Sequence, residues 1–251
     1  MRRLGAYHLL AAEDPGGQRP LPGQFAMLSC AERWGGGEDE RPFLPRAFSI
    51  ARRAGGEWQF LLEDVGPGTH RLGELAPGEQ LLALGPLGRP FTAPPQGRRA
   101  ILAGGGVGIA PLAILLDELG GAATVLLGFR DRERAAGAQL LAGARVATDD
   151  GSVGHAGRVT ELLQAELAAD AHAVVYACGP GAMLEGVRAL CERLHVPAQL
   201  ALEAGMACGF GACYGCAVPR RGGGYLRVCV DGPVIDADLL EHIGEHAGAP
   251  A

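Results

Sequence analysis

The stretch "ACGFGACYGCAVPRRGGGYLRVCV", from Ala207 to Val230, holds four of the chain's seven cysteines. They are Cys208, Cys213, Cys216 and Cys229, spaced C-x4-C-x2-C-x12-C. Three thiols close together and one distant is the spacing of a 2Fe-2S site. Two irons bridged by sulfides need four thiolates at fixed positions, and a loop with few side chains can wrap closely around them. Gly209, Gly211 and Gly215 let backbone N–H groups turn inward toward the sulfurs and tolerate the positive φ that such wrapping demands. A structural zinc site and a pair of disulfides are the competing readings. Zinc sites favour paired C-x2-C knuckles, and only Cys213 and Cys216 have that spacing.

The remainder of the sequence sets this loop in a soluble globular chain. Its 251 residues allow one large or several small cores, and 48% hydrophobic with 20% charged residues excludes disorder. A net charge of −6 leaves no basic footprint for nucleic acid. No apolar run reaches the roughly 18–20 residues that span a bilayer. The opening "MRRLGAYHLLAAEDPGG" is too weakly apolar for a signal peptide. A cytoplasmic location is therefore expected, where disulfides are rare and clustered cysteines point to metal or redox chemistry. Cys30 and Cys191 lie in apolar surroundings and read as inert core thiols.

Three segments differ in texture. Residues 1–95 carry short apolar runs ("QFAMLSC", "AFSIARR", "EWQFLLEDV", "EQLLALGPLG") between Pro/Gly turns, the pattern of an antiparallel barrel or sandwich. Within it, Glu32–Pro42 reads as a flexible hairpin tip, and "APPQG" (Ala93–Gly97) as a linker. Residues 96–200 alternate strands ("RRAILAGG", "ATVLLGFR", "ARVATDD", "AHAVVYACGP") with helices ("IAPLAILLDELG", "RVTELLQAELAA", "AMLEGVRALCERLH"). That alternation implies a parallel sheet with crossover helices. Residues 201–251 form the cysteine-rich segment and end in an Ala/Gly tail expected to fray. The fold class is thus mixed β and α/β: an antiparallel barrel, a parallel-sheet nucleotide domain and a small cluster domain.

Five further motifs carry chemistry. In "ILAGGGVGIAPL" the glycines Gly104, Gly105, Gly106 and Gly108 join a strand to a helix whose N-terminus suits a pyrophosphate. Pro111 stands where a dinucleotide fingerprint has its third glycine, and a bare tight turn is the alternative. In "ATDDGS", Asp149 and Asp150 would accept the hydroxyls of an adenosine ribose and repel a 2′-phosphate, favouring NADH, with Asp131 as a rival. They read equally well as solvated turn acids. In "YACGP", Cys178, Gly179 and Pro180 end a buried strand at the edge where parallel sheets collect ligands, and Cys178 reads as a nicotinamide neighbour or a small buried thiol. In "RAFSI" and "GPGTHRL", Arg46 and a Gly68–Thr69 turn could hold a diphosphate by charge and backbone amides. A surface arginine and a helix-capping threonine explain the same residues.

Taken together, R-x-x-S, G-x-G-T, GGGVGIAPL, TDDGS and CGP resemble the ferredoxin reductase superfamily. With "EAGMACGFGACYGC…CVDGPV" and "TDDGSVGHAGRVT", the chain is similar to the electron-transfer subunits of class 1B dihydroorotate dehydrogenases. The resemblance covers essentially the whole chain. It implies an FAD-binding barrel (1–95), an NAD-binding α/β domain (96–200) and a 2Fe-2S domain (201–251). It implies Arg46, Ala47, Phe48 and Ser49 as FAD contacts, Ser49 nearest the ring, with Leu61, Leu62, Glu63, Gly68 and Thr69 completing that site. The usual family form has Pro where this chain has Ala47. The resemblance also implies a partner, an FMN-containing TIM-barrel catalytic subunit that oxidises dihydroorotate, in a heterotetramer with two copies of each chain. The base acting on dihydroorotate belongs to that partner, so no catalytic side chain is expected here. Two other readings are carried forward: a related NAD(P)H-dependent reductase subunit serving ferredoxin, sulfur or hydrogenase, and a non-catalytic zinc-stabilised binding module.

Overall fold

Period-two alternation broken by Gly and Pro builds the first sheet in a computed structural model that describes residues 1–35 and 42–244. Its elements are β1 (Arg2–Leu4), β2 (Tyr7–Glu13), β3 (Phe25–Cys30), β4 (Arg46–Ala54), β5 (Glu57–Glu63), α1 (Pro67–Gly73) and β6 (Leu81–Leu87). The strands pair antiparallel in the order β1-β2-β5-β4-β3-β6. Gly55 and Gly56, at φ 63° and 80°, make the two-residue turn that lets β4 fold straight back as β5. The sheet curls around Trp58, Phe60, Leu62, Leu28 and Ile50. Of the expected hairpin tip at Glu32–Pro42, residues 36–41 lie outside the described residues, as does the tail from 245 onward.

Helical periodicity then alternates with short apolar strands. The second unit comprises β7 (Arg99–Gly105), α2 (Ala110–Glu118), β8 (Ala123–Phe129), α3 (Arg132–Ala135), β9 (Arg145–Thr148), β10 (His155–Ala156), α4 (Val159–Ala169), β11 (Ala173–Cys178), α5 (Gly181–Leu194) and β12 (Ala198–Ala201). Three strands follow: β13 (Ala217–Pro219), β14 (Tyr225–Arg227) and β15 (Val234–Asp236). The large sheet runs β10-β9-β8-β7-β11-β12-β15, parallel except for β15, which pairs antiparallel with β12. Every residue of β11 is buried, as expected of a strand covered on both faces. Helix α5 stops where His195 enters the left-handed region at φ 54°, with Pro197 just beyond. The mixed β and α/β class expected from the sequence is the one found. Among the described residues no helix is long and apolar enough to cross a membrane.

The units are packed together by shared cores. Leu4, Tyr7, Leu9, Ala51 and Leu61 of the first sheet pack with Ile109, Leu112, Ala113 and Leu116 at the start of α2 and along it. Phe25 and Met27 join a second core containing Ile101, Val175, Cys216, Val228 and Cys229. Polar groups fix the first contact: Arg52 of β4 forms a two-pronged ion pair with Asp117 of α2, at 2.6 and 3.0 Å, and donates to the Leu140 carbonyl. Because the pair is partly exposed, solvent screens it. A double-mutant cycle across Arg52→Ala and Asp117→Ala should give a coupling of about 1 kcal/mol in urea unfolding. Coupling indistinguishable from zero would show that packing alone aligns the two units.

Candidate cofactor sites

Two stretches distant in sequence meet at the first candidate site. Arg46 opens β4 and lies over Gly68 in the first turn of α1; a Cβ on Gly68 would come within 2.7 Å of Arg46 Nε. Only hydrogen there leaves room for the guanidinium, whose Nη1 donates to the Leu44 carbonyl at 2.6 Å. The Thr69 hydroxyl accepts the amides of Val65 and Gly66 at 2.9 and 3.0 Å, which shapes the turn from within. The amides of Gly68 and Thr69 belong to the first helical turn and have no acceptor in the helix ladder. Ala47 and Ser49 share one face of β4, and Ala47 packs toward the core that contains Cys216 and Cys229. Phe48 faces the interior of the first sheet. The side chains of Leu61 and Leu62 are taken up by packing in two different cores. Glu63 reaches Arg134 of α3 at 2.9 Å.

At the second site two glycine turns press against each other. β7 and β11 are neighbours in register, so Gly104 lies beside Cys178 and the turns that follow share one sheet edge. A Cβ on Gly108 would lie 2.6 Å from Gly179 Cα, and one on Gly105 would meet Met183 Sδ at 2.5 Å and Pro180 Cδ at 3.0 Å. Gly106 takes φ +56° between β7 and the short 3-10 turn that leads into α2. Backbone therefore approaches backbone here, leaving a ledge of peptide groups at the carboxyl edge of the sheet. Cys178 sits at the end of β11, where burial and then the neighbouring Glu203 carboxylate push its thiol well up. Burial raises Glu203 itself to about 7. In the sequence Glu203 only opens the string that leads to the cysteine loop; the fold sets it just past β12 on this edge.

The acids sort themselves by partner. Asp131 caps α3, its Oδ1 accepting the Arg134 amide at 2.9 Å and its Oδ2 pairing with Arg134 Nη1 at 2.7 Å, so that carboxylate is engaged. The amides of Asp149 and Asp150 donate to the carbonyls of Phe129 and Arg130, stitching the turn after β9 to the end of β8. Thr148, fully buried, closes the turn through its hydroxyl to Val153. Asp150 accepts the Ser152 amide at 2.9 Å, and bonding to Ser152 holds its carboxyl low. Asp149 is exposed and has no side-chain partner among the described residues. Both acids stand at the same sheet edge as the glycine ledge.

All seven cysteines are free, and the four in the carboxyl segment gather as two pairs. Cys216 and Cys229 are buried with their sulfurs 3.2 Å apart. Cys208 and Cys213 share a side-chain hydrogen bond, and the Cys208 sulfur also receives amides of its own loop. The amides of Cys213 and Phe210 chiefly, with that of Ala212, pull the Cys208 thiol down to about 6. Burial, then the neighbouring Cys216, pushes Cys229 up to about 12, against a donation from the Gly211 amide. Gly215 N–H points at Cys213 Sγ and Cys229 N–H at Cys216 Sγ, both at 3.5 Å. Two pairs of thiols surrounded by inward amides suit a binuclear iron–sulfur cluster, one pair to each metal, better than the single centre of a zinc site. Among the described residues no three His, Cys, Asp or Glu side chains converge as one ion would require. Beside Cys208 a cleft of about 590 Å³, lined by Met27, Leu82, Leu84, Trp58 and Phe210, opens along β6.

A curled antiparallel sheet, a parallel sheet with a glycine ledge and a four-thiol loop in one chain define an oxidoreductase of the ferredoxin-reductase fold. A solved structure of an NADH-dependent reduced ferredoxin-NADP oxidoreductase superposes with a TM-score of 0.79 over 96% of this chain and 87% of that one, at 24% identity. Residues 203–241 match the iron-sulfur cluster binding domain of dihydroorotate dehydrogenase B. The dihydroorotate dehydrogenase B (NAD(+)) electron transfer subunits of Desulforamulus reducens and Bacillus caldolyticus are 38% and 40% identical, over 85% and 86% of this chain and 84% and 85% of theirs. The chain belongs to this family of electron transfer subunits.

In metal-free protein at pH 7, Cys208 is mostly thiolate and Cys229 almost entirely thiol, because the amides favour the charged form at one and burial opposes it at the other. Iodoacetamide should label Cys208 roughly tenfold or more faster than Cys229, the Cys208 rate climbing between pH 5 and pH 7. Peptide mass spectrometry would detect the opposite order, which would contradict the amide geometry.

Proposed function

We propose that this chain carries electrons from an FMN-containing, dihydroorotate-oxidising catalytic subunit to NAD+, in the synthesis of pyrimidines. The observation that supports this most directly is the packing of the four-thiol loop, through Cys216 and Cys229, into the same core as the first sheet's Met27 and the second sheet's Ile101 and Val175. A relay needs its carriers held close, and one continuous core does that.

The roles of individual residues follow from where they sit. Cys208 and Cys213 would hold one iron and Cys216 and Cys229 the other. Arg46 and the Gly68–Thr69 turn would neutralise and bind the FAD diphosphate, with Ala47 and Ser49 lining the ring's side of β4. Leu61 and Leu62 would contribute backbone only, and Glu63 would anchor Arg134. The ledge of Gly104, Gly105, Gly106, Gly108, Gly179 and Pro180 would admit the nicotinamide dinucleotide, with Cys178 beneath it and Asp149 and Asp150 at its ribose. When bound, FAD and the 2Fe-2S cluster supply the exchange between single electrons and the two that a nicotinamide takes together. No side chain of this chain is asked to move a proton, and the base for dihydroorotate belongs to the partner.

The exposed apolar residues Leu82, Leu84 and Phe210 border the cleft beside Cys208 and form the face we assign to the catalytic partner, in a complex with two of each subunit. Free cysteines support a cytoplasmic setting. The likeness to the NADH-dependent ferredoxin-NADP oxidoreductase supports a second reading, a reductase that serves ferredoxin, but the identity to the dihydroorotate family is higher. Co-purification from the native cell distinguishes the two by the chain that accompanies this one.

Cys216→Ser should bleach the cluster absorbance and leave NADH reduction of FAD largely intact. Loss of FAD reduction with the cluster still present would refute this division of labour. Replacing Asp149 by Ser and Asp150 by Arg should narrow the ratio of kcat/KM for NADH over NADPH by about tenfold, the worth of one lost hydrogen bond or repulsion near 1.4 kcal/mol. An unchanged ratio would remove both acids from the ribose site.

A further inference from the structure

One side chain in the carboxyl segment touches the cysteine loop at several points and has no place in the assignments above. Arg227, the last residue of β14, donates from Nη1 to the Gly211 carbonyl at 3.3 Å. Its guanidinium carbon lies 5.2 Å from the centre of the Tyr214 ring, a cation–π contact. Its own amide donates to Asp231 Oδ2 at 2.8 Å, and its Nε lies 3.5 Å from the same oxygen. Gly211 falls between Cys208 and Cys213, Tyr214 between Cys213 and Cys216, and Asp231 two residues past Cys229. Arg227 thus engages every interval that separates the four thiols or closes their loop.

The contact with Gly211 has a directional consequence. The Gly211 carbonyl and the Ala212 N–H belong to one planar trans peptide, so they point in opposite directions. Holding the Gly211 carbonyl on Arg227 turns the Ala212 N–H to the opposite side of that peptide, away from the guanidinium. Elsewhere in the same loop the amides of Gly215 and Cys229 point at Cys213 Sγ and Cys216 Sγ, both at 3.5 Å. Gly211 must be glycine for the Arg227 contact: it takes φ +88°, and a Cβ would meet Val230 Cγ2 at 2.7 Å and Arg227 Nη1 at 3.2 Å. Amides that donate to a thiolate withdraw electron density from it and stabilise the extra negative charge of a reduced cluster. The positive guanidinium acts in the same direction, opposed in part by Asp231.

We propose that Arg227 is a positioning residue that clasps the cysteine loop, fixes the Gly211–Ala212 peptide within it, and so raises the reduction potential of the iron–sulfur cluster. This rests on the ligation of the cluster by the four cysteines. Two variants of the holoprotein test it, Arg227→Gln and Arg227→Lys, the second keeping the charge and losing the planar fork and the stack on Tyr214.

Iron and sulfide content with the reduced-cluster EPR signal of the wild type reads the ligation by itself, and a wild type without them overturns that ligation. In loaded protein, an EPR-monitored redox titration reads the clasp. Arg227→Gln should lower the midpoint by the equivalent of a roughly tenfold change in the oxidised-to-reduced ratio, about 59 mV for one electron, with Arg227→Lys between it and the wild type. An unchanged or raised midpoint in the Gln variant overturns the proposal. Where the Gln variant retains no iron, the Lys variant decides in the same way. Loss of iron from both while the wild type keeps it would make Arg227 an assembly residue and equally overturn potential tuning.

Discussion

A continuous apolar core to which three stretches of chain contribute is the constraint on which the rest of this structure depends. Met27 from β3, Ile101 and Val175 from the parallel sheet, and Val228 with Cys216 and Cys229 from the carboxyl segment all pack in it. A loop of glycines and cysteines cannot bury enough surface to fold alone, and below about 40 residues a domain usually needs metal, disulfide or partner to hold it. Here β15 adds a last strand to the parallel sheet through its pairing with β12, and Val228 is carried into the core just before Cys229. Cys216 and Cys229 inherit their positions from that anchoring, before any metal is considered.

Close approach of main chain to main chain does at the nucleotide edge what burial does at the thiols. A Cβ on Gly108 would lie 2.6 Å from Gly179 Cα, and one on Gly179 would lie 3.0 Å from Gly105 N, so neither turn has room for a methyl. The same rule operates at Gly68 under Arg46. At each place glycine removes a side chain so that something else can come near, a second turn in one case and a guanidinium in the other. The unusual glycine content therefore has two origins. Turns such as Gly55–Gly56 and Gly222–Gly224 need only positive φ and meet nothing, whereas Gly68, Gly105, Gly108 and Gly211 are fixed by what a Cβ would strike.

Most strands and helices from Arg99 to Leu194 are legible in the sequence from an apolar run or a helical period, but the four-residue α3 and the two-residue β10 are not. What escaped was short or borrowed. β12 and β15 are only four and three residues long, and pairing makes them strands: β12 between β11 and β15, β15 on β12. β1 and β2 were read only as a weak amino-terminal stretch, although Tyr7, Leu9 and Leu10 are buried there. The four cysteines were legible as ligands through their spacing, but Arg227 was not. An arginine between a glycine run and a cysteine carries no pattern until the fold sets it beside Gly211 and Tyr214. Asp131 shows the converse: sequence made it a rival to Asp149 and Asp150, and only geometry reveals that its carboxylate is committed to Arg134.

Glu63 shows how the two main units could communicate without sharing a ligand. It ends β5, one residue beyond the buried Leu61–Leu62 pair and three before the turn that carries Gly68, and it holds Arg134 of α3. Arg134 in turn holds Asp131, at the end of β8 beside the turn of Asp149 and Asp150. A chain of charge-assisted bonds thus runs from the end of β5 to the turn after β8, beside Asp149 and Asp150. Tyr7 lies beneath it, fully buried, its hydroxyl without a partner among the described residues. Burial first, then the Glu63 carboxylate, raise that hydroxyl's pKa. The bridge spans the two units, but its side chains are partly exposed and solvent screens them, so packing carries most of the alignment. Close placement of the two sheet edges is what a carrier of electrons needs, because the protein's first task is to position its cofactors against one another.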